Sequence, residues 1–345
     1  MRPPRSRGIR PAGRMVASTV ALAVLALALV ACGSDESPPN SSPTGPESDG
    51  AFPVTIEHKY GTTEIPQEPQ RVVTVGLTDH DALLALGITP VGVTDWYGDQ
   101  PHATWPWAQD ELGNAEPVVV GDATELKFEE IAALEPDVIL GLYSALTKED
   151  YETLSQIAPT VAQPGEHVDY GIPWQELTRT VGQVAGQSEK ADDLVNGVEE
   201  RFAEVRADHP EFEGASSAIA TPYEGIYVYS ADVANGRVLA SLGFELPGEL
   251  AEEIGSEDGI NLSEERVDLL DVDLLVWLDA TEGQGPIGAS LYEQLDVHTE
   301  GREVLLESAS DLGGAMSFSS VLSLPYVLDE LVPMIEKAVD GDPAT

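Results

Sequence analysis

The longest helical pattern in this sequence lies near the middle of the chain. Val195, Val198, Phe202 and Val205 recur at steps of three and four residues, which places them on one face of a helix. The pattern predicts a helix over residues 188–209, about 30 Å long. A rigid rod of that length constrains the chain to form one structural unit before it and another after it.

Both flanks of this helix alternate short apolar strands with helical stretches. Residues 71–77 (RVVTVGL) form the first such strand before the helix, and residues 273–278 form another after it. Alternation of this kind is typical of parallel α/β sheets. We therefore predict an α/β fold with two parallel-sheet lobes, residues 53–187 and 210–345. One long α-helix joins the lobes, and a ligand cleft lies between them.

The two flanks also share a pattern. The apolar and acidic positions of segment 129–139 recur at the same spacing in segment 265–275, and each segment begins with a glutamate followed by helix and strand patterns. The match predicts two similar lobes and singles out Glu129 and Glu265 as equivalent. From the residues alone, both are also ordinary acids at a helix N-terminus.

The N-terminus has the features of a targeting segment. Five arginines precede an apolar run from Val16 to Ala31, which is shorter than the roughly 20 residues that a membrane-spanning helix needs. We interpret residues 1–31 as a lipoprotein signal peptide. Residues 32–52 are interpreted as the lipidated Cys32 followed by a flexible tether. The alternative is an ordinary secretory signal followed by an incidental cysteine.

The net charge and the single cysteine limit the partners and the covalent bonds that this chain can have. The formal net charge is −44, and it becomes more negative when the arginines of the signal peptide are removed. We expect no nucleic acid partner, because binding phosphate backbones depends on lysine and arginine. The single cysteine excludes an intrachain disulfide.

No catalytic motif was found. The sequence lacks a G-x-S-x-G elbow, an H-E-x-x-H motif and a P-loop, and its six histidines are scattered. We therefore expect neither an enzyme nor direct metal coordination by side chains. An acidic surface enzyme whose catalytic groups are distant in sequence stays an alternative.

Candidate ligand-binding residues are aromatic, hydroxyl or cationic side chains near the ends of the predicted strands and helices. In open α/β sheets, ligands bind beyond the carboxyl ends of the strands. For each aromatic residue, packing in the core is the competing interpretation, and for Arg237 it is a surface salt bridge. The candidates are Thr78, Trp96, Tyr143, Tyr223, Tyr229, Arg237, Trp277 and Phe318.

Several short segments together resemble a known family, the lipid-anchored substrate-binding proteins of iron–siderophore ABC importers. In that family a single helix joins two lobes, and the resemblance extends from about Val54 to Val339. The segments that carry it are Pro69-Gln70-Arg71-Val72-Val73, Leu86-Gly87, Glu129-x-Ile131 through Leu134-x-Pro136-Asp137-Val138-Ile139, Leu242-Gly243-Phe244 and Ser317-Phe318-Ser319-Ser320-Val321-Leu322-Ser323-Leu324-Pro325.

The resemblance implies a receptor rather than an enzyme. Its partners are a ferric siderophore and the permease and ATPase subunits of an importer, and Glu129 and Glu265 match the acids that dock onto the permease. The chain is expected to be a monomer, lipid-anchored at the extracytoplasmic face of the cell membrane. It needs no cofactor, because iron is bound only through the siderophore.

The scarcity of basic residues favours a hydroxamate siderophore, such as a ferrioxamine, over a catecholate. The alternatives are a cobalamin or haem carrier of the same fold and a tethered ligand sensor.

Overall fold

The computed structural model describes residues 52–223, 225–279 and 291–340. The predicted signal peptide, Cys32 and the part of the tether before Phe52 lie outside these ranges. None of the helices in the described part of the chain combines the length and apolar character that crossing a membrane requires.

The first lobe contains a small antiparallel hairpin and a five-stranded parallel sheet with the order β5-β4-β3-β6-β7. The central strands of the sheet are apolar and buried on both faces, as expected for a parallel sheet covered by helices, whereas the hairpin strands and β5 are partly exposed. All strands of the lobe are short. They are β1 (Val54–His58) and β2 (Gly61–Ile65) in the hairpin, then β3 (Val72–Thr74), β4 (Gly92–Asp95), β5 (Val118–Asp122), β6 (Val138–Gly141) and β7 (Thr160–Ala162).

The helices of the first lobe follow the strands, as the sequence predicts. The start of the fourth is fixed by a capping box, in which Thr147 Oγ1 accepts from the Asp150 backbone N–H at 3.1 Å. The helices are α1 (Asp79–Ala85), α2 (Gln109–Leu112), α3 (Phe128–Ala133), α4 (Lys148–Leu154) and α5 (Trp174–Val184), with short 3₁₀ turns at Pro101–Ala103 and Pro106–Ala108.

The predicted interlobe helix is present as α6 (Ser188–Asp208). Its apolar face is buried, and Val198 and Phe202 belong to one hydrophobic cluster with residues of both lobes, Leu83 in the first and Leu239 in the second. The helix therefore contributes to a core that is continuous between the lobes.

The second lobe has its own five-stranded sheet, with the order β10-β9-β8-β11-β12. The strands are β8 (Ser217–Thr221), β9 (Ile226–Tyr229), β10 (Gly259–Leu262), β11 (Leu274–Leu278) and β12 (Glu303–Leu306). The helices are α7 (Ala234–Leu242), α8 (Gly248–Ile254), α9 (Asp296–Thr299), α10 (Asp311–Phe318) and α11 (Ser323–Val339), with 3₁₀ segments at Pro210–Phe212, Glu264–Leu270 and Tyr292–Gln294.

Two details of the second lobe differ from the prediction. Its sheet is mixed, because β9 pairs antiparallel with both β8 and β10. The connection from Thr221 to Ile226 is too short for a parallel crossover. The sequence pattern also predicts a helix over residues 301–307, but this segment contains β12, whose alternate side chains are buried while it pairs in parallel with β11.

The two sheets nevertheless have the same strand order. Numbered within its own lobe, each sheet runs 3-2-1-4-5. The order reverses between the first and fourth strands, which are β3 and β6 in one lobe and β8 and β11 in the other. In open α/β sheets this reversal creates a crevice at the carboxyl ends of the two strands, where ligands bind.

Truncating the core face of α6 tests its structural role. Phe202 is 4% exposed, so we expect Phe202→Ala to lower the free energy of unfolding by about 3–5 kcal/mol, through lost apolar contact and the cavity left behind. Glu200→Ala, at an exposed position on the same helix, serves as the control and is expected to change stability by less than about 0.5 kcal/mol. Urea unfolding measures both variants, and equal midpoints for the two would contradict the assignment.

Candidate functional site

A cavity of about 650 Å³ lies between the lobes. The first lobe contributes the residues that follow β4 and β6 and the segment 166–171 after β7. The second lobe contributes β9, the start of α7 and the ends of β11 and β12. Its size is in the range of small-molecule binding sites.

Six of the eight candidate ligand-binding residues line this cavity or a small one beside it. Trp96, Tyr143, Tyr229 and Arg237 line the main cavity. Thr78 and Phe318 line an adjoining space of about 20 Å³, which shares Tyr143 and Arg237 with the main cavity. The structure brings these six side chains together, and their role in binding stays a prediction.

Trp277 is not at the cleft. It is 0% exposed inside β11 and packs edge to face on Tyr292 in the core of the second lobe. Its indole N–H lies 2.9 Å from both the Tyr292 hydroxyl and a Glu303 carboxylate oxygen. The prediction was wrong because the residue precedes the strand end by one position, and alternation along the strand turns its side chain into the core.

Tyr223 is also outside the cavity. It follows β8, as predicted, but β8 and β9 form a hairpin, and Tyr223 is 62% exposed beyond the end of β8. Residues in such a turn face solvent rather than the neighbouring lobe.

Sequence reasoning missed other residues of the cavity wall. Tyr227 lies two residues before Tyr229, and the rings meet edge to face at 5.1 Å. The two-residue period of a strand places both on the same face, so this signal was present in the sequence. Tyr170 lies in segment 166–171, which has no helical or strand pattern, and no sequence signal placed it at the cavity.

Arg237 extends across the cleft from α7. Its guanidinium donates a hydrogen bond of 2.8 Å to the Gly171 carbonyl oxygen in the first lobe. Burial lowers the pKa of Arg237, while Asp232 acts in the opposite direction. Because an arginine pKa starts above about 12, the side chain stays charged at neutral pH. It presents a cation and several donors to the cavity.

The position of Tyr143 is fixed from behind by Asp79. The Asp79 carboxylate accepts hydrogen bonds from the backbone N–H groups of Leu142 (2.7 Å) and Tyr143 (2.9 Å). Asp79 is fully buried, and burial raises its pKa to about 6. Burial also raises the pKa of Tyr143, so its hydroxyl stays protonated and is able to donate to a ligand.

An aromatic cluster supports one wall of the cavity. Phe318 of α10 packs on three tryptophans of the region after β4, with ring centroids 5.3–6.0 Å apart. The approach is close at Gly314, where a Cβ atom would lie 2.5 Å from the Trp105 ring. The tryptophans are Trp96, Trp105 and Trp107. Together these contacts attach the tryptophan-rich region to α10.

The candidate docking acids occupy equivalent places on the surface. Glu129 is the second residue of α3, and Glu265 is the second residue of the 3₁₀ segment before β11. Both are exposed, and within the described ranges neither forms an ion pair. Their carboxylates are therefore available to cations of a partner, although their role is untested.

One group of side chains in the described ranges could hold a metal ion. Ligand atoms of Glu166, His167 and Glu176 lie within 4.8 Å of one another at the edge of the cavity. His167 Nε2 is already 2.8 Å from a Glu176 oxygen, so a hydrogen bond joins two of the three.

The two lobes, the single connecting helix and the cleft between them define a solute-binding protein. Residues 72–293 match the family described as Periplasmic binding protein. The chain belongs to this periplasmic binding protein family, which confirms the resemblance seen in the sequence.

Solved structures and curated relatives are consistent with this membership. The periplasmic solute binding protein of Mycobacterium smegmatis str. MC2 155 has 33% identity and a TM-score of 0.73, with 83% of this chain and 98% of that chain covered. Streptococcus pneumoniae TIGR4 PiaA, solved with ferrichrome, has the same fold, with 23% identity, a TM-score of 0.71, and 84% of this chain and 99% of that chain covered.

Among curated proteins, a probable siderophore-binding lipoprotein of Bacillus subtilis (strain 168) is 29% identical, with 66% of each chain covered. The Fe(3+) dicitrate-binding periplasmic protein of Escherichia coli (strain K12) is 28% identical, with 58% of this chain and 65% of that protein covered. This chain therefore spans just under two thirds of the length of these two relatives.

The buried carboxyl group of Asp79 predicts a specific pH dependence of stability. An aspartate in an unfolded chain titrates near pH 4, so between about pH 4 and pH 6 the folded protein holds more protons at this position than the unfolded chain does. The contribution of Asp79 to the free energy of unfolding therefore falls as pH rises through this range. We expect the stability difference between wild type and Asp79→Asn to decrease by about 2 kcal/mol from pH 4 to pH 7.

Urea unfolding at several pH values measures this difference. Asp110→Asn, which removes an exposed carboxylate of the same lobe, is the control for the loss of one acidic side chain. A wild-type advantage over Asp79→Asn that stays constant or grows with pH would contradict the raised pKa.

Proposed function

We propose that this chain is the extracytoplasmic substrate-binding component of an ABC importer, which captures a ferric siderophore of the hydroxamate type and delivers it to a membrane permease. The observation that carries the proposal is the 650 Å³ cavity between the lobes, with aromatic walls and Arg237. Relatives named as siderophore-binding and as ABC transporter substrate-binding lipoproteins support it.

The lining of the cavity suits a bulky chelate. Trp96, Tyr143 and Tyr229 offer apolar ring surface, and the Arg237 guanidinium offers donors for ligand oxygens. In this proposal the siderophore supplies all the ligands of iron, so the protein needs no cofactor and no metal-binding side chain. The role is binding and release, without catalysis.

The hydroxamate preference rests on charge. Ferric citrate and ferric catecholate complexes are anions, and a site for them requires several cations. Arg237 is the only lysine or arginine among the described residues of the main cavity. A ferric trihydroxamate has a neutral core and presents carbonyl oxygens, and a single guanidinium is able to donate hydrogen bonds to several of them.

The same proposal assigns a place in the cell. Lipidation of Cys32 would attach the protein to the outer face of the cell membrane, and residues 33–52 would act as a tether. The folded lobes would then act as a monomer close to the permease, with Glu129 and Glu265 contacting permease arginines.

A fluorescence titration tests ligand class. The chain from Gly33 onward is titrated with ferrioxamine, a ferric catecholate, haem and cobalamin while tryptophan emission is followed, since Trp96 lines the cavity. We expect saturable quenching by ferrioxamine with a Kd below about 1 μM. Quenching by haem or cobalamin alone would replace the siderophore assignment by one of these carriers.

The same titration tests Arg237. We expect Arg237→Ala to weaken ferrioxamine binding about 10- to 100-fold, because charge-assisted hydrogen bonds are lost, and Arg237→Lys to restore part of it. Arg179→Ala, which removes an exposed arginine paired with Asp192, is the control. An unchanged Kd in Arg237→Ala would remove this residue from the binding site.

Charge reversal tests the docking acids. We expect Glu129→Lys or Glu265→Lys to reduce iron uptake by cells to background, because like charges then face the permease, while the Kd of the isolated protein stays unchanged. Glu200→Lys, exposed on α6, controls for net charge. A weakened Kd would place these glutamates in folding or binding, and normal uptake would exclude them from docking.

A further inference from the structure

The charged side chains around the main cavity are strongly unbalanced. Six carboxylates line it, whereas Arg237 is the only permanently charged cation among the described lining residues. The six are Glu166, Asp169, Asp232, Glu257, Asp258 and Asp279. The cavity already proposed as the binding site is therefore electrostatically negative.

Local partners offset only part of this charge. Asp169 pairs with Lys59 at 2.6 Å, on the side of the first lobe. Asp279 accepts a hydrogen bond of 2.8 Å from the Ser308 backbone, which leaves its charge in place. In the described ranges no lysine or arginine forms an ion pair with Asp232, Glu257 or Asp258.

These three acids lie together on the wall formed by the second lobe. Asp232 lies between β9 and α7, and Glu257 and Asp258 immediately precede β10, which pairs with β9. The backbone ties these segments, because the Ser230 N–H donates to the Asp258 carbonyl oxygen at 2.8 Å.

Two tyrosines lie on the same wall as these acids. Burial raises the pKa of Tyr227, and Asp258 and Glu257 raise it further. Tyr227 and Tyr229 line the cavity beside these acids, and aromatic rings attract cations. Arg237 interacts electrostatically with Asp232, so the excess of negative charge on this wall comes mainly from Glu257 and Asp258. The wall therefore combines carboxylates that lack an ion pair with lysine or arginine and aromatic side chains, a combination that suits an ammonium group.

We propose that the siderophore bound here carries a positive charge, and that Asp232, Glu257 and Asp258 recognise an ammonium group on it. This inference rests on the proposed function and adds the charge of the ligand to it. Arg237, in the first turn of α7, would hold the carbonyl oxygens of the neutral chelate core, while the acidic wall would select the charged arm. Anionic complexes such as ferric citrate would be repelled.

The test compares ligands that differ only in charge. Ferrioxamine with its terminal ammonium is titrated against the same complex with that amine acetylated, which is neutral, and with it succinylated, which is anionic. We expect the ammonium form to bind about tenfold more tightly than the acetylated form, and the anionic form to bind more weakly still. Higher salt should narrow these differences.

Variants assign the preference to the wall. The combined variant Asp232→Asn, Glu257→Gln and Asp258→Asn is expected to bind the ammonium and acetylated forms equally, with affinity for the acetylated form kept as evidence of folding. Glu252→Gln, at an exposed position on α8 outside the cavity, is the matched control and should keep the tenfold preference.

The outcomes separate the two levels of the proposal. Equal binding of the three ferrioxamine forms by the wild type would overturn the charge inference and leave the siderophore function standing. A preference that survives in the combined variant would remove these three acids from recognition. Binding of none of the forms would overturn the hydroxamate assignment and this inference with it.

Discussion

The relative placement of the two lobes depends on how α6 is bonded at its two ends. Lys190, in its first turn, donates to the Leu86 carbonyl oxygen at the end of α1, at 2.7 Å. Arg206, in its last turn, donates to the Ser241 carbonyl oxygen at the end of α7. Helix C-termini leave carbonyl groups unpaired and carry partial negative charge. Each of these two cations therefore donates a hydrogen bond to a free carbonyl oxygen and compensates the negative end of a helix dipole. In a chain with few basic residues, two of them attach α6 to the first helix of each lobe, α1 and α7.

The position of the cleft follows from this arrangement. Each sheet reverses its strand order between its first and fourth strands. Helix α6 positions the lobes so that these two points of reversal lie on either side of one cavity. The backbone between β3 and α1 contacts the end of β6, where Leu77 donates to the Tyr143 carbonyl oxygen at 3.0 Å. The candidate binding side chains thus lie on short connections attached to rigid strands, an arrangement that favours a preorganised site.

Helix periodicity, strand alternation and the internal repeat predicted much of this structure. These patterns correctly predicted α6, the two-lobed fold and the equivalent positions of Glu129 and Glu265, because each feature depends on a local or repeating pattern in the sequence. Direction of pairing is not local, so the antiparallel β9 was missed. Successive side chains of a strand point to opposite faces, so an error of one residue in the position of the strand end reverses the predicted direction. Trp277 was placed at the cleft for this reason. The wall segment 166–171 has no periodic pattern, and only the three-dimensional fold brings it to the cavity.

Arg237 has one further property that follows from its number of donors. A guanidinium carries five N–H groups in a planar fork, and the bond to Gly171 uses one of them. Within the described residues the others have no hydrogen bond, so under the proposed function they would contact ligand oxygens without releasing the loop of the first lobe. Loop and ligand would then be held by the same group, so each would order the other, and thermodynamic reciprocity makes the two effects equal. Occupation of the cleft would in this way restrict the conformations of segment 166–171.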